Sequence, residues 1–222
     1  GLLHAIRVAC DFQGMSLAGA RVAVQGFGAV GKHASRFLAA EGAVIVAAAD
    51  SKGMVNCPNG LDVKQLAEIK TQGGSVVDYQ AGADITTGDR EAIIDVPCDI
   101  WIPAARPDVI RADNLDRLQA AMVVSGANIA VTAEAEQQLY DRGVLCIPDF
   151  IANAGGVICA AMEYQGAGEA MAMQTIREKL CHNVQTILEL SKQHDCLPRE
   201  AAVDMAMQRV RKAMQLRRWS LF

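Results

Sequence analysis

The sequence lacks a basic surplus. Its 222 residues carry 21 Lys and Arg against 25 Asp and Glu, a net charge of −4, which argues against nucleic acid or an anionic membrane surface as partner. It has no uncharged apolar run of about 18 residues, the length a membrane-spanning helix needs; Ala43–Ala49 is far too short. It has no C-x-x-C pair, and its seven cysteines (10, 57, 98, 146, 159, 181 and 196) are odd in number. That pattern fits free thiols in a reducing, cytoplasmic setting and disfavours a structural zinc. The four histidines (4, 33, 182 and 194) are scattered without ligand spacing, so no metal is expected. Repeats and low-complexity segments are absent too. What remains is 51% hydrophobic and 21% charged, enough to bury a sizeable core, and we expect one domain over residues 1–222.

The chain is organised around Arg21 to Asp50, RVAVQGFGAVGKHASRFLAAEGAVIVAAAD. Val22, Ala23 and Val24 have the composition of a buried parallel strand. Gly26-Phe27-Gly28-Ala29-Val30-Gly31 follows as a G-x-G-x-x-G. A helical pattern comes next, with Val30, Ala34, Phe37 and Leu38 on one face, and then a second apolar run that ends in Asp50.

Each part has a task in holding a dinucleotide. Gly26 lets the chain turn out of the strand, Gly28 lets a pyrophosphate approach the backbone, and Gly31 lets the helix pack close to the sheet. Unpaired N–H groups at the helix start attract the phosphate charge. Asp50, 19 residues after Gly31, is placed to accept bonds from the adenosine ribose hydroxyls and to repel a 2′-phosphate, so NAD is expected over NADP, with Lys52 able to soften the preference. Gly26 to Lys32 also reads as the start of a triphosphate loop, but His33 stands where that chemistry needs a Ser or Thr hydroxyl.

Leu2, Leu3, Ile6, Ala9 and Cys10 repeat at helical spacing, predicting a helix over 1–13. Asp62 starts a helix that ends at Gly73-Gly74, and residues 75–97 read as loop with at most a short strand or hairpin. Short apolar runs at Cys98–Ala104, Ala121–Ser125 and Val144–Pro148 are further strands. A helical turn or two falls in Asp108–Gln119, and a helix capped by Thr132 runs to Arg142. Asn153-Ala154-Gly155-Gly156 enters another helix. Two long helices close the chain, the first with an Ile176, Leu180, Val184, Ile187 stripe, the second from Pro198 with Val203, Ala206, Val210 and Met214 expected as core. The basic group Arg209, Arg211, Lys212, Arg217 and Arg218 is expected as a solvated face or interface rim of that helix. Strands alternating with helices predict an α/β fold: a Rossmann-type, doubly wound, mostly parallel sheet with flanking helices.

In such sheets the ligand lies at the carboxyl ends of the strands. Asp50-Ser51, Ala104-Ala105, Ser125 to Asn128 and Asp149 to Gly156 end there. Small residues at 104–105 and 126–127 suit the approach of a flat ring. Asn128 and Asn153 carry amides right for a carboxamide or a ribose hydroxyl; as residue types they fit turn or cap positions equally well.

The segments VAVQGFGAVG, ADSKG with PNGLD, IPAA, SGAN and PDFIANAGGVICAAMEY resemble, in order, the coenzyme-binding lobe of the glutamate/leucine/phenylalanine/valine dehydrogenases. The resemblance implies an NAD(P)-dependent amino-acid dehydrogenase that converts a 2-amino acid to a 2-oxo acid and ammonia. It implies that Asn128 and Asn153 address the nicotinamide and its ribose, and that Ala104 and Ala105 lie along the cofactor. Glutamate-specific members have a serine where this chain has Ala160, a departure that leans toward an apolar substrate side chain. Arg106-Pro107-Asp108 replaces an acid and an amide, and Ser125 a common glutamate. The family's catalytic lysine, substrate-carboxylate lysine and catalytic aspartate lie in an N-terminal lobe, and none of the seven lysines here stands in a matching motif. We therefore expect no catalytic residue in this chain, a missing lobe in cis, an amino-acid substrate and a homo-oligomer at full length. The chain starts at Gly1 inside a helical pattern, without an initiator Met, and is expected to be a piece of a longer protein. The alternative is a stand-alone NAD-binding regulatory module.

Overall fold

In a computed structural model, which describes residues 1–216, the strands β1 (Arg21–Gln25), β2 (Val44–Ala49), β3 (Met54–Asn56), β4 (Thr86–Gly88), β5 (Ile100–Pro103), β6 (Met122–Val124) and β7 (Leu145–Ile147) form one sheet. Their order is β4-β3-β2-β1-β5-β6-β7. From β2 through β7 every pair is parallel, while β3 and β4 add antiparallel at one edge. The chain leaves β1 for β2 on one side and later returns to β5 on the other. That reversal opens a crevice outside the carboxyl ends of β1 and β5, where open parallel sheets take their ligands.

The helices are α1 (Leu2–Gln13), α2 (Ala29–Ala40), α3 (Val63–Thr71), α4 (Ala133–Asp141), α5 (Asp149–Ala152), α6 (Gly155–Tyr164), α7 (Glu169–His194) and α8 (Pro198–Leu216). Alternate strand residues serve opposite cores, as the strand period of two requires. Val22, Val24, Ile100 and Ile102 face a core shared with α1, α2, α3, α7 and α8. Ala23, Trp101, Val123 and Cys146 face a second core closed by α4 and the tight turns Arg90–Asp95 and Leu115–Arg117. This is the doubly wound arrangement.

The predicted caps hold. The Asp62 side chain accepts the N–H groups of Lys64 (2.9 Å) and Gln65 (3.1 Å), and Thr132 accepts that of Ala135 (3.3 Å). The Ile176, Leu180, Val184, Ile187 stripe of α7 is buried.

Other expectations need correction. In α2 the buried face is Gly31, Ala34, Ser35 and Leu38; Val30 and Phe37 are exposed because that face turns to the crevice instead of the sheet. In α8 the buried residues are Ala201, Ala202 and Met205, whereas Val203, Val210 and Met214 are exposed. Ala206 is exposed as well: periodicity had marked an apolar stripe there, but the core takes Ala201, Ala202 and Met205 beside it. Residues 75–97 hold, as expected, one short strand, β4, between tight turns at Val76–Asp78 and Arg90–Asp95. The edge strand Met54–Asn56 was not expected, and the helical turn in 108–119 shrinks to Leu115–Arg117. Of the basic group, Arg217 and Arg218 lie outside the described residues.

Candidate cofactor site

Gly26 leaves β1 at φ 104, where a Cβ would lie 2.7 Å from the Ala105 Cβ and 2.9 Å from the Ala104 carbonyl oxygen. The N–H groups of Gly26 and Phe27 both donate to the Ala49 carbonyl (3.0 and 2.8 Å), tying the turn to the end of β2. A Cβ on Gly31 would sit 1.9 Å from the Gly26 carbonyl oxygen, so only glycine lets α2 come this close. The Phe27 side chain is buried in the core and anchors the turn, leaving its backbone to face the crevice. The first bond of α2 runs from Lys32 N–H to the Gly28 carbonyl (2.9 Å), so the N–H groups of Ala29, Val30 and Gly31 precede any helix partner. Above Gly28 nothing lies within 4 Å of where a Cβ would be. Open space facing unpaired N–H groups at a helix start fits a pyrophosphate.

Two clefts flank this turn and share Ala104, Ala105 and Arg106. The first, about 430 Å³, is lined by Gly28, Asp50, Ser51, Lys70 and Arg90 among others. The second, about 800 Å³, is lined by Val30, Phe37, Gly126, Asn128, Asn153 and Val157 among others. The residues at the ends of β1, β2, β5 and β6 and before α6 are thus brought to two adjoining clefts that meet at Ala104, Ala105 and Arg106.

At the first end, Asp50 is not free. Its Oδ2 accepts Lys70 Nζ (2.6 Å), the Val76 N–H (3.0 Å) and the Ser75 hydroxyl (3.0 Å); its Oδ1 accepts the Lys52 N–H (2.9 Å) and shares the same hydroxyl (2.9 Å). Burial pushes this carboxyl up, but those donors outweigh it and hold it at about 2. The carboxylate thus accepts four donors of its own chain, from Lys52, Lys70, Ser75 and Val76. Lys70 and Arg90 also line this cleft; the pairing of Lys70 with Asp50 spans 20 residues and leaves no local signal. Ser51 is exposed at its edge.

At the second end, Asn153 Nδ2 donates to Asn128 Oδ1 (2.6 Å) and to the Gly126 carbonyl (3.4 Å). The pairing leaves the Asn128 amide N–H groups and the Asn153 amide oxygen for another partner. Ala160 is exposed on α6, one turn beyond Val157, and does not line the groove. Cys10 and Cys98 are buried, which pushes their thiols up to about 11 and about 12, so they are inert. No described helix is long and apolar enough to cross a membrane. Among the described residues no three His, Cys, Asp or Glu side chains converge as a metal site.

A mostly parallel sheet with its glycine turn at the switch point, flanked by two adjoining clefts, defines a dinucleotide-binding domain of the Rossmann class. Residues 1–218 match the family described as Glutamate/Leucine/Phenylalanine/Valine dehydrogenase, and the chain belongs to it. It is 38% identical to a glutamate dehydrogenase of Aeropyrum pernix over 99% of its own length and 54% of the relative's. Identity is 35% both to the NAD-specific glutamate dehydrogenase of Staphylococcus aureus (99% and 54% covered) and to the NADP-specific enzyme of Saccharolobus shibatae (90% and 48%). Among solved structures, the hetero-hexameric glutamate dehydrogenase of Thermus thermophilus in its leucine-bound form superposes at a TM-score of 0.85 with 25% identity, covering 99% of this chain and 53% of that one. The L-tryptophan dehydrogenase of Nostoc punctiforme gives 0.76 with 25% identity, covering 96% and 58%. The chain spans about half the length of the curated relatives it matches.

Proposed function

We propose that residues 1–222 form the NAD(P)-binding lobe of an amino-acid dehydrogenase, and that this lobe binds the dinucleotide but needs a second lobe to deaminate a substrate. The observation that carries the reading is the groove itself, with a glycine turn at its middle, an amide pair at one end and cations at the other. When bound, the cofactor supplies the ring that accepts a hydride from the substrate's Cα. The chain's own residues would hold that cofactor: the N–H groups at the start of α2 hold the pyrophosphate, and Asn128 and Asn153 orient the carboxamide and ribose. Among the described residues no lysine lines the second cleft, which supports assigning the catalytic groups to another lobe.

α6 supports the same reading. Its sequence GGVICAAMEY is mostly apolar, yet only Gly155 is buried; Val157 is 76% and Tyr164 94% exposed. Exposed apolar surface beside a ligand groove suits a covering domain, and a substrate lobe closing there would seat the amino acid against α6. We also take the full-length enzyme to be an oligomer acting on a 2-amino acid.

The paired state of Asp50 supports admission of both NAD and NADP in place of a strong NAD preference. The test is calorimetry with each cofactor beside an assay of amino-acid oxidation on the same 222-residue chain. Dinucleotide binding without turnover is expected. Absence of binding refutes the cofactor site, and turnover by the chain alone refutes the need for a second lobe.

A further inference from the structure

Two non-glycine residues stand in the left-handed region on the loops that line the second cleft: Asp108 at φ 51 after β5, and Ile129 at φ 54 after β6. For a β-branched residue such as Ile129 this conformation is strongly disfavoured. Something must hold it. The Asp108 N–H donates to the Ile129 carbonyl (2.8 Å), so the two loops fix one another. The Ile129 N–H donates to Asp149 Oδ2 (2.8 Å), while Asp149 Oδ1 accepts Arg199 Nη1 (3.1 Å). Arg199 comes from α8, also pairs with Glu136 of α4, and lies over the Phe150 ring at 5.7 Å. Asp149 is only 6% and Glu136 only 2% exposed.

Arg199 is 29% exposed between two buried carboxylates, and ion triads of this kind are often no more stabilising than apolar packing. What this cluster does that apolar packing would not is present a fixed acceptor to the backbone of a strained residue. Ile129 directly follows Asn128, whose Oδ1 is joined to Asn153; Asn153 in turn donates its N–H to the Asp149 carbonyl (2.8 Å). One residue thus ties down both halves of the amide pair, by its side chain and by its main chain.

We propose that Asp149, clamped by Arg199, is a positioning residue for the nicotinamide end of the groove, acting through the left-handed backbone at Ile129. This rests on the dinucleotide reading above. It assigns α8, remote from the groove in sequence, a place in setting the site's geometry. Strain held by surrounding bonds beside a ligand groove is a recognised means of preorganisation.

The experiment compares NADH with ADP-ribose, which lacks the nicotinamide, on the full 222-residue chain. Asp149→Ala is expected to weaken NADH roughly tenfold while ADP-ribose binding stays unchanged. Ile129→Gly added to that variant is expected to restore most of the loss, because glycine adopts the left-handed backbone without a clamp. Arg199→Met leaves Asp149 in place but unclamped; about a threefold loss confined to NADH is expected, and this variant carries the test if Asp149→Ala does not fold. Equal weakening of both ligands, failure of glycine to rescue, or an unmodified chain that binds NADH no tighter than ADP-ribose overturns the proposal. An unmodified chain that binds neither ligand refutes the dinucleotide reading instead.

Discussion

Lys70 Nζ lies 2.6 Å from Asp50 Oδ2, so the acid at the end of β2 is paired within its own chain. The Asp50 side chain is 8% exposed and that of Lys70 25%. A 2′-phosphate arriving at this cleft meets a neutralised acid with Lys70 and Arg90 beside it, not a bare negative charge.

Removing Lys70 should therefore change cofactor choice. At about 4 Å and an effective dielectric near 20, an uncompensated like charge costs roughly 4 kcal/mol before relaxation and salt. Lys70→Met is expected to weaken NADP at least about tenfold more than NAD. Calorimetric titration of both cofactors checks it. An unchanged ratio would mean that Asp50 does not face the adenosine end.

The same pair predicts an acid-sensitive component of stability. The Asp50 carboxyl is held at about 2 against an ordinary value of 3.8. A carboxyl lowered on folding contributes stability above its unfolded value and loses it as the pH falls toward the folded one. The window here is pH 4 down to pH 2, and the contribution is about 2 kcal/mol. Urea unfolding of the unmodified chain and of Asp50→Asn should show a gap at pH 7 that narrows by about that amount near pH 2. A gap independent of pH would place the loss in packing instead.

The elements that were legible in the sequence are those whose signals are local. Strand, glycine turn, helix and acid follow one another within 30 residues, and Asp62 and Thr132 cap through neighbours two or three residues on. What stayed hidden depends on distant partners. The strand Met54–Asn56 is only three residues long, too short for length or alternation to mark it. The pairing of Lys70 with Asp50 and the reach of Arg199 to Asp149 exist only once the chain has folded. The stripe on α8 had the right period, but a period does not say whether its face meets the chain's own core or another surface.

The glycine turn separates fold from binding. Gly31→Ala places a methyl 1.9 Å from the Gly26 carbonyl oxygen; overpacking of this kind costs about 1–3 kcal/mol or more, and both stability and binding should fall. Gly28→Ala meets nothing within 4 Å, so its unfolding midpoint should be nearly unchanged. Its new methyl would nonetheless stand where the pyrophosphate must approach the N–H groups of α2, and dinucleotide affinity should drop about tenfold or more. Thermal melts and cofactor titrations of both variants measure this. Full affinity in the Gly28 variant would show that the phosphates cross elsewhere.

The last prediction concerns the substrate side chain in the full-length enzyme. Ala160 is exposed on α6, and Val157, one turn before it, lines the groove. A lobe closing over α6 would bring the substrate side chain against this face. A methyl group offers a carboxylate no hydrogen bond, and burying an unpaired carboxylate is costly, whereas a Leu- or Val-sized side chain gains about 1.5–3 kcal/mol by burial. We therefore expect the full-length enzyme to prefer a branched or aromatic amino acid to glutamate. Ala160→Ser should raise the ratio of kcat/KM for glutamate over leucine by about tenfold, the value of one hydrogen bond to a charged group. Specificity constants for both amino acids, measured before and after the substitution, decide it. A glutamate preference in the unmodified enzyme, with no response to serine, would assign side-chain selection to the other lobe, where a cation can meet the carboxylate whatever stands at position 160.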